Sequence, residues 1–412
     1  MILIISGISM IVAIMIALTV TIVISERFLV KHGKVKLVIN HDEKNAKEVE
    51  TGGTLLNTLI DNDVLIPSAC GGGGTCGYCT CQVESGGGDL LPTEETFINR
   101  KKAKDNWRLA CQIKVREDLE IKVPDEVFST KKWECEVISN KNVATFIKEF
   151  VVKLPDGEHL DFKPGGYVQI EVPHYHINFG EHFEIEEEYK DDWERIKALK
   201  LEHRNTENIT RAYSMANYPG EGSIVMLNVR IATPPWDHKK NMLQKVPAGI
   251  SSSYIFSKKP GDKVMISGPY GEFFINESDT EMMYIGGGAG MAPMRSHIMH
   301  LFNTMKTKRK VTFWYGARSK REIFYEDDFR KLEKEFPNFS FHVALSDALP
   351  EDKWDGMTGF IHDAILQHYL IDHVEPEEIE YCLCGPPMMM TAINKMLYDL
   401  GVEKENIRYD EF

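Results

Sequence analysis

The chain has no surplus of basic residues: 48 Lys and Arg stand against 62 Asp and Glu, a net charge of −14 over 412 residues. A surface that repels phosphate cannot draw on counterion release, which excludes nucleic-acid binding as a function. The acidic surface suits docking to basic partners, and solubility alone also accounts for it. Charge of either sign is missing between Ile2 and Ser25, where Ile, Val, Leu, Met and Ala dominate. As a helix that run extends roughly 36 Å at ~1.5 Å per residue, against a hydrocarbon core of about 30 Å. No Lys or Arg precedes it, whereas Arg27, Lys31, Lys34 and Lys36 follow. A cleaved signal peptide would show basic residues first, then a shorter apolar stretch and a small-residue cleavage site. Residues 1–26 are therefore expected to form a permanent single-pass transmembrane anchor. The positive-inside rule puts everything after Arg27 in the cytoplasm. No ion path is expected here, because the span carries no charge.

A disulfide framework is also not expected in a long cytoplasmic chain. There are eight cysteines, at 70, 76, 79, 81, 111, 135, 382 and 384, and five of them fall between positions 70 and 111. That clustering asks for a metal. The length predicts two to four domains, and the first, residues 33–126, alternates apolar and polar residues in short runs. Two helical stretches, 54–62 and 93–104, interrupt the runs. Between them lies Cys70-Gly-Gly-Gly-Gly-Thr-Cys76-Gly-Tyr-Cys79, with Cys111 downstream. Four thiolates on a glycine-rich loop and a later strand are what a [2Fe–2S] cluster needs, the glycines letting backbone N–H groups approach sulfur. Four cysteines also suit Zn²⁺, but zinc sites usually pair two C-x2-C hairpins and only one is present. Cys81 is read as a spectator.

Residues 130–276 read as short strands (133–138, 143–154, 167–172, 223–231, 262–266), the pattern of an antiparallel barrel. Two motifs sit on it: Arg211-Ala212-Tyr213-Ser214, followed by Asn217-Tyr218-Pro219, and Gly249-Ile250-Ser251-Ser252, opening a helix after Pro247. The acidic insertion 176–209 reads as a solvated surface helix, or functionally as a docking surface for partner subunits. Residues 277–412 alternate strand and helix, as a doubly wound sheet does. A strand at 281–285 runs into Gly286-Gly287-Gly288-Ala289-Gly290-Met291-Ala292-Pro293 and a helix over 294–305, an arrangement that delivers pyrophosphate to a helix N-terminus. Arg318 and Arg321 follow the second strand, at 311–315, where positive charge would serve the 2′-phosphate of NADPH. Glu322 beside them would favour the 2′-hydroxyl of NADH. The last predicted strand, 379–384, leads from Cys382 and Cys384 into Gly385, Pro386, Pro387 and Met388, at the sheet edge where open α/β folds bind ligands.

Together these motifs resemble the ferredoxin–NADP⁺ reductase superfamily with a fused [2Fe–2S] ferredoxin domain. The fold class implied is multidomain α+β and α/β: an N-terminal transmembrane helix, a β-grasp ferredoxin domain, an antiparallel β-barrel flavin domain and a doubly wound nucleotide-binding domain. The cysteine loop resembles the longer-loop branch of the ferredoxins, its extra glycine expected as a local bulge, with Cys70, Cys76, Cys79 and Cys111 as ligands. The resemblance puts Arg211 on the FAD pyrophosphate with the helix start Gly249–Ser252, Tyr213 against the isoalloxazine ring and the Ser214 hydroxyl on N5. Ala212, Gly286, Gly287, Gly288, Gly290, Met291, Arg318, Gly385, Pro386 and Met388 complete the cofactor contacts. Cys384 would lie near nicotinamide C4, and Phe412 would stack on the flavin until nicotinamide displaces it.

Over essentially its whole length the chain is similar to the F subunits of bacterial Na⁺-translocating NADH:quinone oxidoreductases. That similarity implies oxidation of NADH, electron transfer through FAD and the cluster, and partner subunits of a membrane complex ending at quinone. It implies location at the inner membrane, with sodium movement left to other subunits. The reductase of a multicomponent oxygenase uses the same modules, though it has no use for the span or the insertion. A non-catalytic cluster-binding scaffold is the remaining alternative.

Overall fold

The computed structural model describes residues 10, 12, 14–21, 33–124, 127–128 and 130–410. Most of the expected anchor, and Phe412, lie outside the described residues. Residues 10, 12 and 14–21 are helical, and among the described residues no helix is long and apolar enough to cross a membrane. The chain divides into two compact units, Met1–Ser129 and Thr130–Phe412.

The first unit is built on five strands: β1 (Lys34–Ile39), β2 (Lys47–Glu50), β3 (Thr80–Ser85), β4 (Trp107–Leu109) and β5 (Leu119–Lys122), in the order β2-β1-β5-β3-β4. β1 and β5 are parallel and the other pairs antiparallel. Helix α1 (Leu55–Ile60) starts where the Thr54 side chain accepts the Asn57 N–H, and buries Leu55, Leu56 and Leu59 against the sheet. The helix expected over 93–104 is reduced to Arg100–Lys104, started by the Asn99 side chain. The reason lies in Glu94, which is fully buried. Its carboxylate accepts the N–H groups of Leu91 and Leu109 (2.9 and 2.8 Å) and an Arg108 guanidinium, so this stretch follows its partners rather than a helix.

The second unit begins with β6 (Lys131–Ala144), β7 (Ile147–Lys153), β8 (Tyr167–Val172), the hairpin β9 (Tyr175–Asn178) and β10 (Glu202–Asn205), then β11 (Ile209–Ser214) and β12 (Ile224–Arg230). After a two-residue ladder of β13 (Trp236–Asp237) and β14 (Met242–Leu243) comes β15 (Lys263–Tyr270). Six of these form one antiparallel sheet, β11-β8-β15-β6-β7-β12. Its two edges meet through a Met215–Leu227 bridge, which closes it into a barrel. Alternate residues such as Val137, Phe150, Val168, Ile170 and Leu227 fill the interior.

The insertion is not a solvated surface helix. Its α-helical pieces are two short ones, Phe179–His182 and Lys190–Arg195, the second following a 3-10 turn at Glu187–Tyr189. Phe179, Phe183, Ile185, Tyr189 and Trp193 all join the barrel core. Its acidic residues therefore read as a surface helix in sequence while alternating with aromatics that need burial. The Trp193 indole N–H donates to the Thr145 carbonyl (2.7 Å). Lys148, fully buried, donates to the carbonyls of Asn140 (3.1 Å) and Glu184 (2.6 Å), and burial pulls its pKa down to about 8.

The remaining strands are β16 (Met282–Gly287), β17 (Val311–Ala317), β18 (Phe339–Leu345), β19 (Met357–Thr358), β20 (Glu380–Cys384) and β21 (Ile407–Tyr409). They make one fully parallel sheet, β19-β18-β17-β16-β20-β21. Tyr284 and Phe313 pack on one face, and Ile285 and Trp314 on the other. Both faces are thus covered, as parallel sheets require. The chain starts at β16, works outward to β19, then returns to β20 on the other side of β16. That reversal opens a crevice at the carboxyl ends of β16 and β20.

The helix leaving β16, α2 (Met291–Asn303), is fastened to the barrel by three successive side chains. Arg295 donates to the Ala216 carbonyl (3.0 Å) and to both Glu221 oxygens (2.9 and 2.8 Å), Ser296 to the Asn217 carbonyl (2.7 Å). His297 Nε2 lies 3.1 and 2.9 Å from the carbonyls of Pro164 and Phe273. Arg295→Ala leaves Glu221 half-buried without its cation, and is expected to destabilise the fold by about 3 kcal/mol. The check is the thermal unfolding midpoint, and an unchanged midpoint would show that the contact holds nothing together.

Candidate functional site

In the first unit the cysteine loop is a series of turns in which Gly71, Gly72, Gly74 and Gly77 all take positive φ. The extra residue of the loop falls among these left-handed turns. A Cβ on Gly74 would press on Gln112 Nε2 at 2.6 Å, and one on Gly77 on the Phe97 ring at 2.5 Å. The thiols come in two pairs. Cys76 Sγ donates to Cys70 Sγ at 3.3 Å, and Cys79 hydrogen-bonds to Cys111. Within each pair one thiol accepts the other's proton. Cys70 is drawn down to about 4 and Cys111 to about 7, while Cys76 and Cys79 move up.

Amides aim at the acceptors: Thr75 and Cys76 at Cys70, Gly74 at Cys111, with Gln112 Nε2 3.4 Å from Cys111 Sγ. The thiolates of a single zinc would gather ~3.8 Å apart around one point. Among the described residues, the one set of three or more His, Cys, Asp or Glu ligand atoms lying within 4.8 Å of one another is the exposed trio His41, Glu84 and Glu120. Two separated pairs with amides turned toward sulfur fit two irons and not one metal. Cys81 is fully buried, and burial lifts its thiol to about 12, which leaves it inert.

In the second unit, β11 carries Arg211, Ala212, Tyr213 and Ser214 along the barrel edge opposite β8. Arg211 Nη1 donates to the Thr210 carbonyl at 2.8 Å, and Tyr213 packs on the barrel core, its hydroxyl raised to about 12 by burial. The helix Ile250–Phe256 starts at Gly249 with no side chain capping it, so its first N–H groups remain available to an anion. A Cβ on Gly249 would meet Ala232 Cβ at 2.6 Å. The Ser252 hydroxyl accepts the Ala232 N–H (3.1 Å) and donates to the Gly249 carbonyl (3.3 Å), so it shapes the turn.

Ser214 has a partner that no local sequence pattern marks. Its hydroxyl donates to Asp410 Oδ2 at 2.8 Å. Asp410 follows edge strand β21, and its N–H donates to the Leu383 carbonyl (3.0 Å), one residue before Cys384. Low-polarity surroundings push the Asp410 carboxyl up to about 7 against the pull of that hydrogen bond. The only sequence signal for it is its place in the tail that ends at Phe412.

At the crevice a cavity of about 450 Å³ is lined by Gly287, Gly288, Arg318, Glu322, Pro386 and Met388, and also by Phe146, Ile147, Arg230, Ser346, Phe360 and His362. The first six carry sequence signals, whereas the others come from ends of distant strands and loops that no local pattern marks. Gly286, Gly290, Met291, Cys384 and Gly385 lie behind this lining. A Cβ on Gly290 would sit 2.2 Å from the Cys384 carbonyl oxygen, and one on Gly385 2.2 Å from Met389 Cε. These glycines therefore let β16, β20 and their helices close up. The Met291 side chain is fully buried in the core. Cys384 is buried at the end of β20, and Cys382 on the same strand is pushed upward by burial.

Arg318 and Arg321 are engaged by the insertion. Arg321 Nη1 lies 3.0 Å from Asp191 Oδ1, and its Nη2 pairs with Asp192 Oδ2, itself 3.7 Å from Arg318 Nη2. Glu322 accepts the Thr145 N–H (3.2 Å) and its hydroxyl.

Three family models match the chain: a 2Fe-2S iron-sulfur cluster binding domain over residues 39–116, an oxidoreductase FAD-binding domain over 196–275, and an oxidoreductase NAD-binding domain over 284–395. Among curated proteins, the F subunit of the Na(+)-translocating NADH-quinone reductase of Actinobacillus succinogenes is 53% identical over 98% of this chain and 98% of its own length. Its counterpart in Pseudoalteromonas atlantica is 52% identical over the same shares. Among solved structures, an Amycolatopsis cytochrome P450 reductase matches 92% of this chain and 98% of its own, with 24% identity and a TM-score of 0.61. The ferredoxin reductase in carbazole 1,9a-dioxygenase matches 93% of this chain and 99% of its own, with 23% identity and a TM-score of 0.58. These two share the fold.

Replacing Cys70, Cys76, Cys79 or Cys111 by Ala is expected to abolish the rhombic EPR signal of the reduced protein and to lower bound iron, with flavin content kept. A signal that survives in any one variant removes that cysteine from the ligand set, and Cys81→Ala serves as the control that retains it.

Proposed function

We infer the function from this premise: the chain belongs to the family of F subunits of the Na(+)-translocating NADH-quinone reductases. It is the NADH dehydrogenase subunit of such a complex, with FAD and a [2Fe–2S] cluster as cofactors and NADH as substrate. FAD, when bound, would take one hydride, with its two electrons, and release those electrons singly, the conversion that a one-electron cluster needs. Electrons then pass to the cluster and on to partner subunits that end at quinone.

The observation that carries the catalytic reading is the Ser214–Asp410 hydrogen bond, made beside the strand that ends in Cys384. Arg211 and the Gly249–Ser252 amides would hold the flavin pyrophosphate, and Tyr213 would cover the ring. The ends of β16 and β20 would hold the NADH pyrophosphate over Gly286–Gly290, with Cys384 orienting the nicotinamide. With FAD bound, Ser214 Oγ would be the group to take up a proton from N5, and its own hydroxyl proton, already donated to Asp410 Oδ2, would pass to that carboxylate. Asp410 can accept that proton only while ionised. A carboxyl held at about 7 is neutral below that pH and charged above it, so the relay opens as pH rises through 7.

Residues 1–26 are assigned as the single-pass anchor, placing the catalytic domains on the cytoplasmic side of the inner membrane. The absence of charge from Ile2 to Ser25 supports this. So do the Thr19 and Thr21 hydroxyls, which donate to the carbonyls of Met15 and Ala17 at 2.8 Å each and so carry no unpaired donor into lipid.

Stopped-flow measurement of cluster reduction after NADH mixing tests the relay. The wild-type rate is expected to rise through pH 7, while Asp410→Asn loses that inflection and slows about tenfold or more. Ser214→Ala should slow the same step with FAD retained. An Asp410→Asn profile that keeps its inflection would refute the assignment. Deleting residues 1–26 should give a soluble protein that oxidises NADH with artificial acceptors, and loss of that activity in a folded truncate would show that the segment does more than tether.

A further inference from the structure

We propose that the acidic insertion biases coenzyme choice: Asp191 and Asp192 hold Arg321 and Asp192 also draws on Arg318, so that the arginines past the second strand are already paired when the 2′-phosphate of NADPH arrives, and NADH is preferred. This rests on reading the β16–β20 crevice and its cavity as the nucleotide site. In doubly wound folds the residues just past the second strand meet the adenosine ribose, and arginine there accommodates a 2′-phosphate. Here β17 ends at Ala317, and Arg318 and Arg321 follow directly, which by itself reads as an NADPH site. The insertion reverses that reading.

Asp192 is the centre of the arrangement. Its side chain is 4% exposed, so water does little to screen its charge. Oδ1 accepts Arg195 Nε at 3.0 Å, while Oδ2 takes Arg321 Nη2 and stands 3.7 Å from Arg318 Nη2. Asp191 holds the other Arg321 nitrogen at 3.0 and 3.2 Å, and the Glu188 carbonyl accepts from it at 3.2 Å. The Arg321 fork is therefore committed to the insertion. Glu322, fixed by Thr145 of the barrel, adds a further negative charge to the cavity lining. The insertion cannot drift away easily, because Trp193, the neighbour of Asp192, is buried in the barrel core and hydrogen-bonded to Thr145. A 2′-phosphate would have to displace the carboxylates from Arg321 and then lie beside them, with Asp192 also 3.7 Å from Arg318. A 2′-hydroxyl asks for neither.

Asp191 and Asp192 are positioning residues, and their test must separate coenzyme choice from mere support of the fold. The full-length holoenzyme and its Asp191→Asn and Asp191→Asn/Asp192→Asn variants are assayed with NADH and NADPH and an artificial acceptor. Inhibition by adenosine 2′,5′-bisphosphate and by 5′-AMP is measured alongside. In the double variant the NADPH/NADH ratio of kcat/KM is expected to rise about tenfold or more, the worth of one recovered charge-assisted hydrogen bond. The gain should lie in KM for NADPH, the bisphosphate should bind more tightly and 5′-AMP as before. Adding Arg321→Gln should return the ratio to its starting value.

A structural role alone would shift both coenzymes together and leave the bisphosphate and 5′-AMP moving in parallel, which overturns the proposal. So does a gain that survives Arg321→Gln. Should the double variant fail to fold, Asp191→Asn decides the matter: Asp191 is 69% exposed, and an unchanged ratio there refutes the idea. Flavin that neither coenzyme reduces in the parent protein would instead sink the nucleotide-site reading itself.

Discussion

The second unit depends on one contact, the seam where the helix leaving β16 meets the barrel. Any chemistry shared between the barrel and the parallel sheet needs the two held in fixed register, because a small misplacement of reacting groups costs rate steeply. Arg295, Ser296 and His297 reach the carbonyls of Ala216, Asn217, Pro164 and Phe273. Ala216 is two residues beyond Ser214, and Arg295 is five beyond Gly290. The same few residues therefore fix the end of the flavin strand and the start of the nucleotide helix. His297 is held neutral by burial, its pKa down near 4, which suits a ring wedged between carbonyls and stacked on Phe273. A charged imidazole there would lack a counter-ion.

Much of this was legible in the sequence because local physics dictated it. Glycines at positive φ beside cysteines, a strand running into Gly286–Gly290 and short alternating runs on the barrel each announce one backbone geometry. The insertion was misread because its charged residues outnumber its aromatics. Helical periodicity scores the exposed face, while Trp193 and Tyr189 are placed by a barrel whose interior is assembled from distant strands. The stretch after Thr93 was misread for a related reason. Glu94 takes partners fifteen residues downstream, and no local propensity registers that. Asp410 and the lining from Phe146 to His362 likewise became visible only once strands remote in sequence had paired.

The two cofactor regions use their glycines differently. Around the thiols the glycines supply backbone angles that other residues adopt only with strain, and amides turn inward as a result. Around β16 and β20 they supply room instead: Gly287, Gly290 and Gly385 admit Met389 and the Cys384 carbonyl where a methyl would collide. A substitution in the first group distorts a loop, whereas one in the second forces two layers of the sheet apart.

The strand order also carries a consequence for how the molecule is made. β16 and β20 are neighbours in space, yet β17, β18, β19 and their helices lie between them in the chain. Joining them closes a long loop before any contact rewards it, and such non-local pairing is slow. Until it happens, the Gly286–Gly290 turn has no Cys384 opposite it, and a half-folded chain offers no crevice to a nucleotide. Coenzyme therefore selects finished molecules, and at a hundred times its dissociation constant it adds about 2.7 kcal/mol to the completed fold alone. A coenzyme that binds in that crevice would thus brace the completed fold and not the half-formed one.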